Sequence, residues 1–261
     1  MRNTPKPSIT TSLLLTLIVL CPLLPGCSRS PDPADLRLQQ AAESLKRNST
    51  RQARSHIQAA IQLDPSRSAT YWEAMRVYLG NDLFADAAST GELLMKRAES
   101  SKLDRRLRAE EKARLYTLIG SSYQNDKDLA NAERAYKAAL ALAPDSPELL
   151  NQLGYFYAEE GIKLDEALKL TNRAVQLAPD AGHIIDSLGW AQYKLGRYKA
   201  AADTLKRAVE LVPNDDTLRY HLGAAYAKQH RRLEAVIELK KALTLNPRNT
   251  DSARLLKTLH K

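Results

Sequence analysis

The chain is short of the residues on which catalytic, metal-binding and disulfide-linked proteins depend. Its 261 residues include two cysteines, and its five histidines are scattered. Two cysteines do not make the disulfide framework that stabilises many small secreted domains. The sequence also lacks the HExxH and CxxC patterns of metal and redox sites and the glycine-rich loops that bind phosphates. We therefore predict no catalytic residue, no metal site and no cofactor, and we expect that the protein is not an enzyme.

No apolar segment is long enough to make a comfortable membrane span. The apolar run Leu13–Leu20 is well short of the roughly 20 residues that a spanning helix needs. Arg2 and Lys6 precede this run, and the small residue Gly26 follows it. A positive start, an apolar centre and a small residue near the end are typical of a secretory signal peptide, which we predict for residues 1–26.

Basic residues outnumber acidic ones, 39 to 30, and the formal net charge is +9. The excess is concentrated toward the end of the chain, in Lys228, Arg231, Arg232, Lys240, Lys241, Arg248, Arg254, Lys257 and Lys261. Such a field attracts anionic partners over a distance. An exported protein does not meet nucleic acid, so the candidates are anionic lipid head groups, glycans and acidic protein surfaces. An ordinary basic surface that aids solubility is the alternative, and the sequence leaves this choice open.

The dominant pattern is a repeated spacing of small residues and prolines. Gly120, Gly154, Gly189 and Gly223 are separated by 34, 35 and 34 residues. The same period separates Ala132, Ala167, Ala201 and Ala235, and also Pro144, Pro179, Pro213 and Pro247. A period of 34 is that of arrays of helix pairs. A glycine inside a helix costs about 1 kcal/mol relative to alanine, so we expect the second helix of the same unit to approach closely at Gly189.

These residues resemble the tetratricopeptide repeat (TPR) family. In the unit 182–215, the pair Leu188-Gly189, the alanines Ala201 and Ala208, and Pro213 follow the family pattern. The units 113–146, 147–181 and 216–249 repeat it, so that 113–249 holds four units. The resemblance implies an all-α fold, a right-handed α-α superhelix (TPR solenoid) of about six helix pairs with a C-terminal capping helix.

Weaker copies of the repeat precede these units. Residues 34–101 fit two degenerate TPR units, because terminal units of such arrays are often atypical. Residues 102–112 are an additional charged stretch, which we interpret as a helical insertion. Residues 250–261 have the amphipathic pattern of a capping helix, and residues 27–33 remain as a short tether.

The residues Leu24-Pro25-Gly26-Cys27 resemble a bacterial lipobox. The resemblance implies cleavage before Cys27 and acylation of that cysteine, for example with palmitate, so that lipid chains anchor the protein. Ser28 rather than aspartate follows the cysteine. By resemblance to lipoproteins of Gram-negative bacteria, this implies the outer membrane, with the repeats facing the periplasm. A plain signal peptide that is cleaved nearby is the alternative.

In the resembled family, four positions of each first helix line a concave binding surface. In this chain those positions hold polar and aromatic residues that we expect to form a partner-binding groove: Asn151, Tyr155, Asp186, Trp190, Tyr193 and Tyr220. Aromatic side chains combine a large contact area with a polar atom, which suits the anchoring of a partner. Packing of helix against helix is the alternative for these rings. The lysine and asparagine of carboxylate-clamp TPRs are absent, so a partner's C-terminal carboxylate is not favoured.

The sequence thus predicts a lipid-anchored scaffold that captures a helix or an extended segment of a partner protein. The partner would belong to envelope, pilus or secretion machinery. Two alternatives stay open, an adaptor for cell-wall enzymes and a module that binds anionic lipid or glycan surfaces. The sequence leaves the identity of the partner and the oligomeric state undecided.

Overall fold

The structure is a computed structural model that describes residues 32–259. The predicted signal peptide, the lipobox and Cys27 lie outside the described residues. Between residues 32 and 259 the chain forms thirteen helices and no strand, which confirms the predicted all-α fold. None of these helices is both long enough and apolar enough to cross a bilayer. The helices are α1 (Pro33–Lys46), α2 (Thr50–Leu63), α3 (Ser68–Leu79), α4 (Phe84–Glu99), α5 (Ala109–Asn125), α6 (Leu129–Leu142), α7 (Pro147–Glu160), α8 (Leu164–Leu177), α9 (Gly182–Lys194), α10 (Tyr198–Leu211), α11 (Asp216–Lys228), α12 (Arg232–Leu245) and α13 (Thr250–Leu259).

The described chain divides into two compact units. Unit 1 comprises the described residues up to Leu107 together with Ser121–Leu129, and unit 2 comprises Arg108–Gly120 and the residues from Ala130 onward. In unit 1, α1 packs on α2 and α3 packs on α4, while α1 and α2 also contact α3. The core of this unit contains Leu38, Ile57 and Tyr78.

Unit 2 repeats the same pairing. The helices pack as the pairs α7/α8, α9/α10 and α11/α12, and the first helices α7, α9 and α11 also contact one another in that order. The last helix, α13, packs against α11 and α12, and its Leu259 joins the apolar cluster around Leu205 and Leu222. This is the position expected of a capping helix.

A residue in the left-handed region of φ lies in the turn inside each helix pair. These residues are Asn48, Asp82, Lys127, Gly161, Gly196 and His230, with φ between 56° and 76°. The turn between α7 and α8 contains a second such residue, Lys163, with a φ of 46°. This turn has the same length as those of the following pairs, and the one additional residue of the 35-residue unit 147–181 lies in α7, which has 14 residues where α9 and α11 have 13.

The glycines of the repeat mark close approaches between the two helices of a pair. A Cβ atom on Gly189 would lie 2.5 Å from Cγ of Leu205, and one on Gly223 would lie 2.9 Å from Cγ of Leu239. Both leucines belong to the second helix of the same pair. The expected close approach at Gly189 is therefore present, and it offsets the low helix propensity of glycine.

Residues 102–108 form a loop, so the prediction of a helical insertion over 102–112 is wrong for this part; only residues 109–112 are helical, as the start of α5. The Asp104 N–H donates to the Ser66 carbonyl oxygen at 2.8 Å, and its carboxylate accepts the Ser68 N–H at 3.2 Å. The second bond caps the start of α3. Leu107 is buried as well. These tertiary contacts outweigh the helix propensity of a charged stretch.

Candidate partner-binding face

All six residues predicted for the groove lie on the first helices of unit 2. Asn151 and Tyr155 are on α7, Asp186, Trp190 and Tyr193 are on α9, and Tyr220 is on α11. We call the surface that these three helices form the first-helix face. Because α7, α9 and α11 pack side by side, residues that are 31 to 35 positions apart in sequence become neighbours there.

Trp190 is the centre of an aromatic cluster on this face. Its ring stacks on the ring of Tyr193, with centroids 4.6 Å apart and planes at 3°, and on His221, at 4.0 Å and 17°. Tyr220 completes the cluster with a tilted contact at 6.1 Å. Aromatic contacts of this kind add stabilisation beyond the burial of their area. The cluster joins α9 to α11 and holds its rings in fixed orientations.

Hydrogen bonds hold the indole ring of Trp190 from the side of α7. The Trp190 Nε1–H donates to Oε2 of Glu159 at 2.8 Å. Lys194 donates from Nζ to the backbone oxygen of Glu159 at 2.9 Å, and its ammonium lies 5.0 Å from the centroid of the indole ring. The ring is thus fixed by a carboxylate at its edge and by a cation near its face.

A buried polar pair lies next to the indole ring. Nδ1 of His221 is 2.9 Å from both carboxylate oxygens of Asp186, and the two side chains are 3% and 5% exposed. A carboxylate this deeply buried requires a hydrogen-bond partner, and His221 supplies it by donating from Nδ1. The pair links position 5 of one repeat to position 6 of the next.

The structure separates the six predicted residues into a supporting group and an accessible group. Asp186 and Trp190 are 4% and 5% exposed, so both are interior side chains that hold the face together. Asn151, Tyr155, Tyr193 and Tyr220 are partly exposed. Oδ1 of Asn151 is buried and has no hydrogen-bond partner among the described residues. The accessible members of the six predicted residues are therefore three tyrosines and one asparagine.

The three tyrosines are neutral hydrogen-bond donors at physiological pH. Burial, with a smaller contribution from Asp251, raises the pKa of Tyr220 to about 12. Burial also raises the pKa of Tyr193, and it raises the pKa of Tyr155 well above its usual value, with help from the charges of Glu159 and Asp186. Each ring can therefore offer apolar area together with an O–H group to a partner.

Three residues that complete the face do not appear in the sequence prediction. They are Glu159, Lys194 and His221, all of which contact Trp190. The signal that could have found His221 is its separation of 35 residues from Asp186, one more than the repeat period, which joins neighbouring positions of adjacent first helices. Among residues 32–259, no group of three or more His, Cys, Asp or Glu side chains is arranged to hold a metal ion.

Comparison with known proteins relates the chain to TPR proteins. Residues 113–146 and 217–249 match the family model described as tetratricopeptide repeat, and residues 189–229 match a second model described as TPR repeat. A TPR repeat-containing protein of Pseudomonas aeruginosa is 31% identical over 149 residues, which are 57% of this chain. The match spans only 25% of the length of that relative.

Solved structures show the same likeness of fold. The APC/C hetero-tetramer Cut9-Hcn1 aligns with 89% of this chain and 44% of that chain, at a TM-score of 0.61 and 20% identity. YrrB, a TPR protein with an unusual peptide-binding site, aligns with 77% of this chain and 97% of that chain, at a TM-score of 0.49 and 18% identity. The repeat spacing, the helix pairs and the matched family models agree that residues 113–146 and 189–249 are tetratricopeptide repeats.

Proposed function

We propose that this protein is a non-enzymatic scaffold that binds a partner protein on the first-helix face of unit 2. The observation that carries the proposal is the set of tyrosines around the Trp190 cluster. Tyr155, Tyr193 and Tyr220 are partly exposed, and the buried bonds of Trp190 and Asp186 fix the helices that hold them. Rigid aromatic groups lose little conformational entropy when they bind, so they are efficient anchors.

The partner segment that fits this face is a helix or an extended peptide. One accessible tyrosine lies on each of the helices α7, α9 and α11, and each offers an O–H group beside apolar ring surface. A peptide that crosses the three helices would place its apolar side chains on the rings and its polar groups on the hydroxyls and on Asn151. TPR repeats as a fold are interaction modules, which agrees with this role.

Photo-crosslinking in cells tests the proposal. Crosslinking side chains placed at Tyr193 and Tyr220 should capture the same partner, whereas those placed at the exposed positions Lys199 and Lys206 of α10 should not. Purified partner should then bind Tyr193→Ala/Tyr220→Ala at least about tenfold more weakly than the original chain, because two anchors are lost. The matched control is Lys199→Ala/Lys206→Ala. Equal capture from both faces, or unchanged affinity of the tyrosine variant, would contradict the proposal.

We further propose that a lipid on Cys27 holds the scaffold in the cell envelope, at the outer membrane as Ser28 after the cysteine indicates, where it assembles envelope, pilus or secretion machinery. The support for this part is the lipobox resemblance of Leu24-Pro25-Gly26-Cys27. Cys27→Ser should release the protein from the membrane fraction, and metabolic labelling with palmitate should disappear from it. Retention of the variant in membranes without label would contradict lipid anchoring. A captured cell-wall enzyme would favour the adaptor role over machinery assembly.

A further inference from the structure

The outer side of α12 exposes apolar side chains to an unusual degree. Leu233 is 72% exposed and Ile237 is 43% exposed. The two residues are four apart on one helix and therefore lie on the same face, which continues along the helix to Lys240 and Lys241. The buried side of α12 is formed by other residues, such as Ala235 and Leu239, so the fold does not need this exposed pair.

The preceding repeats serve as an internal comparison for this face. Each of the helices α8, α10 and α12 begins 34 residues after the one before it. The position of Leu233 is held by Asp165 in α8 and by Lys199 in α10, and the position of Ile237 is held by Lys169 and Asp203; all four are exposed. The two neighbouring repeats thus carry charges of both signs where the last repeat is apolar. Leu245 is not distinctive, because Leu177 and Leu211 hold its position in the other two helices and are also exposed.

The unpaired charge on this face has one sign. The carboxylates between Arg231 and Arg248 are those of Glu234 and Glu238, and the Glu234 side chain is 43% exposed. Glu234 is paired with Arg231 at 3.0 Å, and Glu238, which is 12% exposed, is paired with Arg219 at 2.6 Å and Lys241 at 2.8 Å. These pairs neutralise the two acidic residues of α12.

Three cations remain to give the face its charge. Arg232, Lys240 and Arg248 form no ion pair among the described residues, and all three are exposed. Arg232 stands beside Leu233 at the start of α12, whereas Lys240 and Arg248 lie toward and beyond its other end. The apolar pair is therefore flanked by unpaired positive charge.

We propose that the outer face of α12, centred on Leu233 and Ile237, docks on an anionic phospholipid bilayer. Helices that lie in a membrane interface combine an apolar centre with a lysine- and arginine-rich border, and anionic head groups attract the border. A protein partner fits less well. Interfaces between proteins are enriched in aromatic residues and depleted in lysine, and this face has lysine and no aromatic residue.

This surface is separate from the first-helix face. The tyrosines of that face lie on first helices, whereas Leu233, Ile237 and Lys240 lie on a second helix. The inference does not rest on the proposed partner binding, and the failure of either proposal leaves the other standing.

Vesicle sedimentation of residues 28–261, which retain every described residue and lack the anchoring cysteine, tests the proposal. The probe is vesicles of phosphatidylglycerol and phosphatidylcholine, compared with vesicles of phosphatidylcholine alone. The chain should bind the anionic vesicles, bind the neutral ones at least about tenfold more weakly, and lose most binding between about 0.05 M and about 0.5 M salt. Equal binding to both kinds of vesicle, or no binding to either, overturns the proposal.

Substitutions that copy the residues of a neighbouring repeat test whether Leu233 and Ile237 form the surface that binds the vesicles. Leu233→Lys/Ile237→Asp installs the residues that α10 carries at the same positions, so the fold should be kept. Binding to anionic vesicles should fall at least about tenfold although the net charge is unchanged. Unchanged binding overturns the proposal.

Charge reversal completes the test with a matched control. Lys240→Glu/Arg248→Glu should weaken vesicle binding, whereas Lys169→Glu/Lys199→Glu, with the same change of net charge on α8 and α10, should weaken it several-fold less. Equal weakening by the two variants overturns the proposal in favour of a diffuse charge effect. Sedimentation equilibrium without lipid tests whether a second copy of the chain occupies this face. A dimer that Leu233→Lys/Ile237→Asp dissociates, in a chain that does not bind vesicles, overturns the proposal in favour of self-association.

Discussion

The helix pair α3/α4 of unit 1 and the pair α9/α10 of unit 2 differ in which helix carries the small residue at the same position of the repeat. In α9/α10 the first helix carries the small residue, Gly189, and Leu205 of the second helix fills the space 16 positions later. In α3/α4 the corresponding positions hold Met75 and, again 16 positions later, Gly91, and both are buried. The large and the small residue have exchanged helices. We therefore expect this site to need one large and one small residue, on either helix of the pair.

The ion pairs that join neighbouring repeats show a second reversal. In unit 2 the residue after the repeat alanine of α6 is Glu133, which binds Lys163 of the α7/α8 turn. In unit 1 the residue at the same register of α2 is Arg54, which makes two bonds of 2.8 Å to Asp86 of α4. The sign of each charge is opposite, and the link between repeats is kept. Matches to the family models fall within residues 113–249, where glycine is on the first helix.

The largest expected effect on the free energy of unfolding comes from breaking the buried pair of Asp186 and His221, which unit 1 lacks. The positions of Asp186 and His221 correspond in unit 1 to Leu38 and Glu73, and Glu73 is bonded to Arg76 of its own helix. His221→Leu leaves Asp186 buried without its partner and should lower the free energy of unfolding by about 3 kcal/mol. Asp186→Leu/His221→Leu, which removes both polar groups, should recover most of that loss. Urea denaturation measures both variants, and an equally unstable double variant would show that the pair has another role.

Exchanging the residues at the close approach tests the size rule directly. Gly189→Met places a large side chain against Leu205 and should cost about 2 kcal/mol through overpacking. Gly189→Met/Leu205→Gly reproduces the arrangement of α3/α4 and should be more stable than the single variant, although glycine lowers the helix propensity of α10. Thermal and urea denaturation supply the comparison. A double variant less stable than Gly189→Met would mean that the two pairs are not interchangeable.

The carboxylate link of unit 2 should make stability depend on pH. Bonds from Lys137 and Lys163, with a further bond from Tyr157, lower the pKa of Glu133 from 4.5 to about 2. A carboxylate whose folded pKa is depressed stabilises the fold above its unfolded value, and this contribution is lost as the pH falls toward 2. Glu133→Gln should cost about 1 kcal/mol near neutral pH, because the lysines are half exposed and water screens them.

The same variant supplies its own control through pH. The difference in unfolding free energy between Glu133→Gln and the original chain should shrink between about pH 5 and about pH 2. A difference that is constant over this range would assign the effect to packing and not to charge.

The ion pair of Arg54 and Asp86 in unit 1 should have the smallest effect on the free energy of unfolding. Arg54 is 56% exposed, so its bidentate pair with Asp86 is largely solvated. Arg54→Ala should lower the unfolding free energy by about 0.5 kcal/mol at low salt, and less at high salt. Asp86→Ala should cost about the same, and the double variant should cost no more than either. Additive losses in the double variant would indicate that the two side chains act independently.

Most of the helices and their pairing could be predicted from the sequence, because their signals are local. Glycine, alanine and proline recur at the period of a helix pair, and the predicted close approach at Gly189 is present. The loop 102–108 could not be predicted, because Asp104 is bonded to residues distant in sequence and Leu107 is buried by the tertiary fold. The six predicted groove residues lie together on α7, α9 and α11. The burial of Asp186 and Trp190 could not be predicted, because the repeat pattern does not distinguish a side chain between two helices from one on their surface.

The sequence by itself determined that this protein is built of helix pairs, because small and apolar residues recur along it at the period of such a pair. The tertiary structure decided which polar and aromatic groups meet across neighbouring repeats. Glu159 reaches Trp190 at a separation of 31 residues, and Asp186 reaches His221 at a separation of 35. These contacts depend on how closely adjacent repeats pack and on the rotamer that each side chain then adopts, and neither quantity is encoded in the spacing of residues within one repeat.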